Sequence, residues 1–96
     1  MDWSPLKNHM DDQGRLIEWP SPRSKKGLQK IVLDYLASKF EVGVTYTEKE
    51  VNMILKEWHT FGDHALLRRE LYDKRYFDRK NDGSQYWRTP DDTGET

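Results

Sequence analysis

The first half of the chain carries a long stripe of apolar residues at helical spacing. Ser21 is a typical N-cap and Pro22 a typical first helical residue, because an N–H at that position needs no helical partner. Gly43 ends this apolar segment. Ahead of the segment, the alternating stretch RLIEW at residues 15–19 predicts a short extended arm. The pattern predicts a first helix that is capped by Ser21 and begins at Pro22. Its core-facing residues are Leu28, Ile31, Val32, Tyr35, Leu36 and Phe40.

Two shorter helices are predicted in the second half of the chain. Thr47 and Glu50 match a capping box, which predicts a second helix after a short extended stretch at residues 44–46. Asp63 can cap a third helix, which we expect to end near Lys74. A tight connection therefore joins the two helices.

A β-hairpin is predicted after the third helix. The aromatic-rich segments YFDRK and SQYWR, at residues 76–80 and 84–88, flank a turn in which Gly83 can supply a positive φ. Two helices joined by a tight turn, with the second leading into a hairpin, are typical of a winged helix-turn-helix. We therefore predict an α+β fold with three helices, a small antiparallel sheet and a C-terminal β-hairpin as the wing.

The polar ends of the chain suggest its domain boundaries. Residues 1–14 lack a sustained apolar period and residues 89–96 lack any large apolar residue, so we expect a flexible N-terminal tail and a disordered acidic C-terminal tail. The winged-helix domain would span residues 15–88, which carry fifteen Lys/Arg and eleven Asp/Glu although the whole chain has a net charge of −1. This mildly basic domain is compatible with a nucleic-acid partner but does not require one.

The residue types present argue against an enzyme. The chain has no cysteine, and His59, Asp63 and His64 do not follow a known metal-ligand spacing, so we predict no metal and no cofactor. We find no phosphate loop, no catalytic triad and no sign of a small-molecule site. No apolar run reaches the length of a signal peptide or a membrane span, so we expect a soluble, cytoplasmic protein with no membrane partner.

The third helix carries the main candidate surface for nucleic acid. At 100° per residue, one side holds Leu66, Leu67 and Leu71 and the other side holds Ala65, Arg68, Arg69 and Tyr72. If the leucines anchor the helix, the arginines and the tyrosine point outward. An arginine can donate two parallel hydrogen bonds to a phosphate or a guanine, and the second helix of a helix-turn-helix enters the major groove. A solvated charged face is the competing interpretation.

Basic residues outside this helix are candidates for contacts with the nucleic-acid backbone. Arg79 and Lys80 lie near the tip of the predicted hairpin and Arg88 lies on its return strand. Lys25 and Lys26 fall in the first turn of the predicted first helix, where the helix dipole disfavours cations, so an anionic partner is one reason for their presence. The competing interpretation for each of these residues is a solvated charge.

Three binding roles are open, with duplex DNA as the leading hypothesis. A protein-interaction or self-association module would need an exposed apolar patch, for which Trp3, Leu6 and Trp19 are the candidates. RNA binding would need exposed aromatic residues for base stacking, with Tyr76, Tyr86 and Trp87 as the candidates.

Several blocks of the chain, in the same order, resemble the bacterial family called domain of unknown function 2087. They are LIEWPS, KIVLDYLASKF, TYTEKEVN, FGDHALLRREL and YFDR…DGSQYWR. The resemblance implies a small winged-helix module, found alone or fused to transcriptional regulators, with a suggested role in nucleic-acid binding and no established activity. Its LRREL block is residues 67–71 here and its aromatic return strand is residues 86–88. A glycine usual after the third helix is absent, so either Arg75 adopts a left-handed conformation or the helix ends differently.

Overall fold

The computed structural model describes residues 3–23 and 27–90 of the chain. Within them the helices pack against a three-stranded antiparallel sheet, so the fold is α+β, as predicted. The elements are a 3-10 helix at Ser4–His9, α1 at Leu28–Ala37, β1 at Thr45–Thr47, α2 at Glu48–Glu57, α3 at His64–Asp73, β2 at Phe77–Arg79 and β3 at Gln85–Arg88. The strand order is β1-β3-β2, with Tyr46 opposite Tyr86 and Phe77 opposite Arg88.

Aromatic rings join the sheet to the segment that follows α1 in the hydrophobic core. Phe40 and Phe77 are both buried, and their ring centroids lie 4.7 Å apart in an edge-to-face arrangement. The ring of Tyr46 packs against Phe40 at 5.2 Å. Such perpendicular pairs add roughly 0.5–1.5 kcal/mol beyond the burial of area. These contacts fix the sheet beneath the helices.

The elements defined by local signals are confirmed. The Thr47 hydroxyl accepts a hydrogen bond from the Glu50 N–H and the Glu50 carboxylate accepts one from the Thr47 N–H, which completes the capping box of α2. The Asp63 carboxylate accepts from the Leu66 N–H and caps α3. Gly83 has a φ of 76° in the turn between β2 and β3. Each signal involves partners at most a few residues apart.

The predicted start of the first helix at Pro22 is wrong. The helix α1 begins six residues later, at Leu28. Gly27, with a φ of 81°, precedes it in a left-handed conformation that a continuous right-handed helix does not contain. The side-chain amide of Gln29 donates a 2.6 Å hydrogen bond to the Pro20 carbonyl, which ties the segment before α1 to its first turn.

The predicted extended arm at residues 15–19 bonds to the backbone that follows α2. The Leu16 N–H donates to the Trp58 carbonyl at 2.8 Å, and the Thr60 N–H donates to the Leu16 carbonyl at 2.9 Å. Isolated bridges connect Leu16 to Met10 and to His59 instead of forming a full strand. The arm is therefore held by a connection that is distant in sequence.

The expectation of a flexible N-terminal tail is wrong for residues 3–14. Leu6, in the 3-10 helix, is fully buried in the core. The ring of Trp3 meets Tyr35 edge-on at 5.0 Å, and the Tyr35 hydroxyl donates a 2.6 Å hydrogen bond to the Gly14 carbonyl. The segment is ordered because two large apolar side chains bury their area against α1, although it has no periodic pattern of its own. The predicted disordered tail lies largely outside the described residues, since 91–96 are not among them.

The end of α3 shows how the chain does without a glycine after this helix. Arg75 adopts the left-handed conformation with a φ of 68°, and its N–H donates to the Tyr72 carbonyl at 3.0 Å. The Thr89 hydroxyl donates to the Arg75 carbonyl at 2.9 Å. A residue with a side chain is strained at this φ, whereas glycine is not.

We therefore predict that Arg75→Gly raises the free energy of unfolding by about 0.5–1 kcal/mol. The matched control is Lys74→Gly, because Lys74 has a φ of −90° and gains nothing from glycine there. Urea denaturation of both variants and the parent chain measures the difference. An Arg75→Gly chain that is less stable than the parent would contradict the prediction.

None of the helices within the described residues combines the length and the apolar character that crossing a bilayer requires.

Candidate nucleic-acid interface

One side of α3 is anchored in the core. Leu67 and Leu71 are fully buried, whereas Leu66 is only half-buried. Arg69 lies about 160° around the helix from both buried leucines, at the centre of the outward face. It is exposed, as is Ala65 one turn earlier. The prediction that these two residues face solvent therefore agrees with the structure.

The turn between α2 and α3 is held by a buried histidine. The Asp63 N–H donates to His59 Nε2 at 3.0 Å, so the proton of the neutral imidazole is on Nδ1 and donates to the Leu55 carbonyl at 2.6 Å. The ring is 5% exposed and packs against Phe61 at 4.7 Å. His59 therefore links the last turn of α2 to the capping residue of α3. Among the described residues, no three His, Asp or Glu side chains form a group that could hold a metal ion.

Arg68 lies at the edge of α3 that faces α2. It is about 60° from Leu71 around the helix and is half-buried. Its guanidinium donates a short hydrogen bond to the side-chain oxygen of Asn52 in α2. The expectation that Arg68 points freely outward is therefore corrected, and Asn52 is a site residue that the sequence pattern did not identify.

Tyr72 and Arg79 connect the outward side of α3 to the hairpin. Tyr72 is 37% exposed, and the guanidinium carbon of Arg79 lies 4.7 Å from the centre of its ring. Arg79 also donates to the Lys80 carbonyl at 3.4 Å. An arginine over a tyrosine face is held by a cation–π attraction of about 0.5–1 kcal/mol at exposed sites. Tyr72 and Arg79 therefore join α3 and the hairpin in one surface, and Lys80, the next residue in the chain, is exposed.

Arg88 does not belong to this surface. Its guanidinium donates a 3.0 Å hydrogen bond to the Phe40 carbonyl, beyond the end of α1, and the side chain is half-buried. The strand β3 is the central strand of the sheet, so its residues are enclosed by neighbours on both sides. The prediction of a nucleic-acid contact at Arg88 is therefore corrected to a structural role. The predicted contacts at Lys25 and Lys26 lie outside the described residues.

The pKa of His64 reflects the positive charge near the start of α3. Partial burial and the nearby cations Lys56 and Arg68 lower the pKa of its imidazole. Lys56, at the end of α2, is exposed and thus extends the basic surface beyond the predicted residues. In the sequence, Lys56 is distinguished only by its place in the last turn of a helix, where lysine is common.

Acidic side chains limit the positive potential of this surface. The exposed residues Asp73 and Asp78 lie at the end of α3 and in β2. The carboxylate of Glu48, at the start of α2, accepts a 3.3 Å hydrogen bond from the Tyr86 hydroxyl. The basic surface is therefore a local group of side chains rather than a broad charged field.

The aromatic residues considered for RNA stacking are mostly enclosed. Tyr86 is 5% exposed, and Tyr76 and Trp87 are half-buried. Burial and a 2.7 Å hydrogen bond from its hydroxyl to Asp34 raise the pKa of Tyr76. These three rings therefore offer no open platform for bases.

The apolar patch expected for a protein-interaction module is not present at its predicted position. Leu6 is buried, and Trp3 and Trp19 are half-buried and pack against the core. Among the described residues, two exposed large hydrophobic side chains lie in helices, Met53 in α2 and Tyr72 in α3, and three lie outside the helices and strands, Ile17, Val42 and Val44.

Comparison with known proteins identifies one family. Residues 15–88 match the family described as uncharacterized protein conserved in bacteria, domain of unknown function 2087. No match was found among curated proteins or among solved structures.

Proposed function

Because the chain belongs to the domain of unknown function 2087 family, whose description names no activity, we propose a function from its own geometry. We propose that it is a non-enzymatic winged-helix module that binds duplex DNA, as transcription regulators do, and that it acts in the cytoplasm.

The order of elements supports the assignment to the winged helix. A helix, a strand, two helices joined by a short turn and a hairpin follow one another, and the hairpin forms the sheet with β1. In a helix-turn-helix, the second helix of the pair lies in the major groove and an adjoining wing contacts the backbone. By this correspondence α3 is the recognition helix and the β2–β3 hairpin is the wing.

The contact between Tyr72 and Arg79 is the observation that carries the proposal. It joins the outward side of α3 to the hairpin, so that the Arg79 cation of the hairpin lies beside the face of α3 that carries Arg69. An isolated charged helix would need no such connection to remain solvated. Cations on two elements, in contrast, can contact the phosphates on either side of a groove and so fix the orientation of the protein on the duplex.

The residues of the proposed interface fall into two groups, those that would contact DNA and those that join α3 to the hairpin. Arg69 and Lys80 are exposed and suited to phosphates, while Ala65 leaves room for α3 to approach the groove. Tyr72 and Arg79 form the connection between the two elements.

An NMR titration of the labelled chain with random-sequence duplex DNA tests the proposal. At low salt we expect amide shifts concentrated at residues 63–72 and 79–82, which weaken steeply at physiological salt because phosphate binding releases counterions. We also expect the pKa of His64 to rise on binding, since a nearby phosphate favours the protonated imidazole that Lys56 and Arg68 disfavour in the free chain.

The pH dependence of the same titration supplies an internal check. Because a bound phosphate raises the pKa of His64, binding takes up a proton and strengthens as the pH falls through the interval between the free and bound pKa values. The amide signals around His9 and Glu18, whose side chains pair at 2.8 Å on the N-terminal side of the chain, are the control and should not shift with DNA. The absence of amide shifts at low salt would reject DNA binding and favour a protein partner.

A further inference from the structure

Two adjacent arginines of α3 are held in different ways. Arg68 is half-buried and donates to the side-chain oxygen of Asn52, whereas Arg69 is exposed and its side chain forms no hydrogen bond or ion pair with any described residue. One guanidinium is therefore oriented before any partner arrives, and the other is free to move.

We infer that Arg68, oriented by Asn52, is the base-reading residue of α3 and that it selects a guanine in the major groove. The inference rests on the proposed function and deepens it by naming the sequence feature that the surface would recognise. Asn52 is the positioning residue, since it acts through Arg68.

The physical reason is the geometry that each kind of contact requires. A bidentate contact with guanine O6 and N7 needs a guanidinium in a fixed orientation, and a side chain oriented in advance loses less entropy on binding. A phosphate contact tolerates many orientations, and it contributes affinity without reading sequence.

The placement of Arg68 fits this role. It lies on the half of α3 that also carries Ala65 and Tyr72, at the border with α2. Its bond to Asn52 uses one terminal nitrogen, Nη1. A guanidinium carries five N–H donors, so donors remain for a second partner. Exposed Lys56 and half-buried His64 lie nearby, so the approach of DNA to this border meets basic groups.

Selection of binding sites from a randomised duplex pool, followed by affinity measurements, tests the inference. For the parent chain we expect a preferred site with one guanine position that Arg68 reads, worth on the order of 5–150-fold in affinity over other bases at that position. In Arg68→Lys and Asn52→Ala this preference should fall to a few-fold, while the dependence of affinity on salt stays unchanged. Amide spectra of both variants confirm that the fold is retained.

Two further variants separate base reading from general binding. Arg69→Ala should weaken binding to all duplexes alike and reduce the salt slope by about 0.9. Arg15→Lys is the matched control for the loss of a bonded guanidinium, because Arg15 is paired with Asp11 at 2.8 Å on the N-terminal segment. This control should keep the preference of the parent chain.

The outcomes separate a failure of base reading by Arg68 from a failure of DNA binding. If the parent chain binds duplex DNA but selection yields no preferred base, or if Arg68→Lys keeps the preference, the inference is overturned and the proposed function stands. If Asn52→Ala weakens all duplexes equally, Asn52 has only a structural role and the inference is likewise overturned. If the parent chain binds no duplex at low salt, the proposed function itself fails.

Discussion

A chain with Arg69→Glu and Lys80→Glu is expected to bind duplex DNA about 100-fold more weakly than the parent chain, or weaker still. Each substitution removes a cation from the proposed contact with phosphate and puts an anion in its place. Hydrogen bonds to charged groups contribute roughly 1.5–3 kcal/mol each, so the loss of two accounts for the estimate before repulsion is added.

These two positions are chosen because their side chains do little for the fold. Both residues are exposed. Substitutions at such positions change the free energy of unfolding by about 0.5 kcal/mol or less. A double reversal at Arg68 and Arg69 would be ambiguous, because Arg68 also holds Asn52 of α2. The pair used here therefore separates binding from stability.

Fluorescence anisotropy with a labelled duplex, at two salt concentrations, measures the effect. The control is Lys7→Glu, which makes the same charge change on the N-terminal 3-10 helix, an element that packs against α1. It should reduce affinity only slightly, through the net charge. Equal losses in Lys7→Glu and in the single variant Lys80→Glu would show that the hairpin makes no specific contact and would contradict the prediction.

Replacement of His59 by alanine is expected to lower the free energy of unfolding by about 2–4 kcal/mol. The change removes the partners of the Leu55 carbonyl and the Asp63 N–H and leaves a cavity beside Phe61. For a domain of this size, whose total stability is on the order of 5–10 kcal/mol, that is a large fraction. The α2–α3 turn is the region that we expect to loosen first.

Urea denaturation at neutral pH measures this loss. His9→Ala is the matched control, because His9 is also hydrogen-bonded but its partner Glu18 is exposed, so the bond is easily replaced by water. We expect the control to lose less than about 1 kcal/mol. A His59→Ala chain as stable as the control would mean that the histidine does not hold the turn together.

The elements that the sequence predicted well are those with short-range causes. The capping box joins Thr47 to Glu50, the cap of α3 joins Asp63 to Leu66, and the hairpin turns at Gly83. In each case the residues that stabilise the element are neighbours in the chain, so their identities and spacing are enough. The buried leucines of α3 follow from helical periodicity for the same reason.

The two wrong predictions, for the N-terminal tail and for the start of α1, have a common physical cause. Residues 3–14 have no period because the buried Leu6 and the half-buried Trp3 pack one by one against a surface formed by α1. The start of α1 depends on the left-handed conformation of Gly27, and glycine occurs in loops and helix ends alike. Neither feature leaves a repeating signal in the sequence.

Short-range patterns in the sequence were enough to predict the α+β class, three helices with their order, the hairpin and the outward position of Arg69. Which basic side chains are available to a partner depends instead on contacts that form only in the folded chain. Arg68 is bonded to a residue sixteen positions away and Arg88 to one forty-eight positions away. A charged residue looks the same in sequence whether it faces solvent or a distant carbonyl, because its partner is brought to it only when the chain has folded.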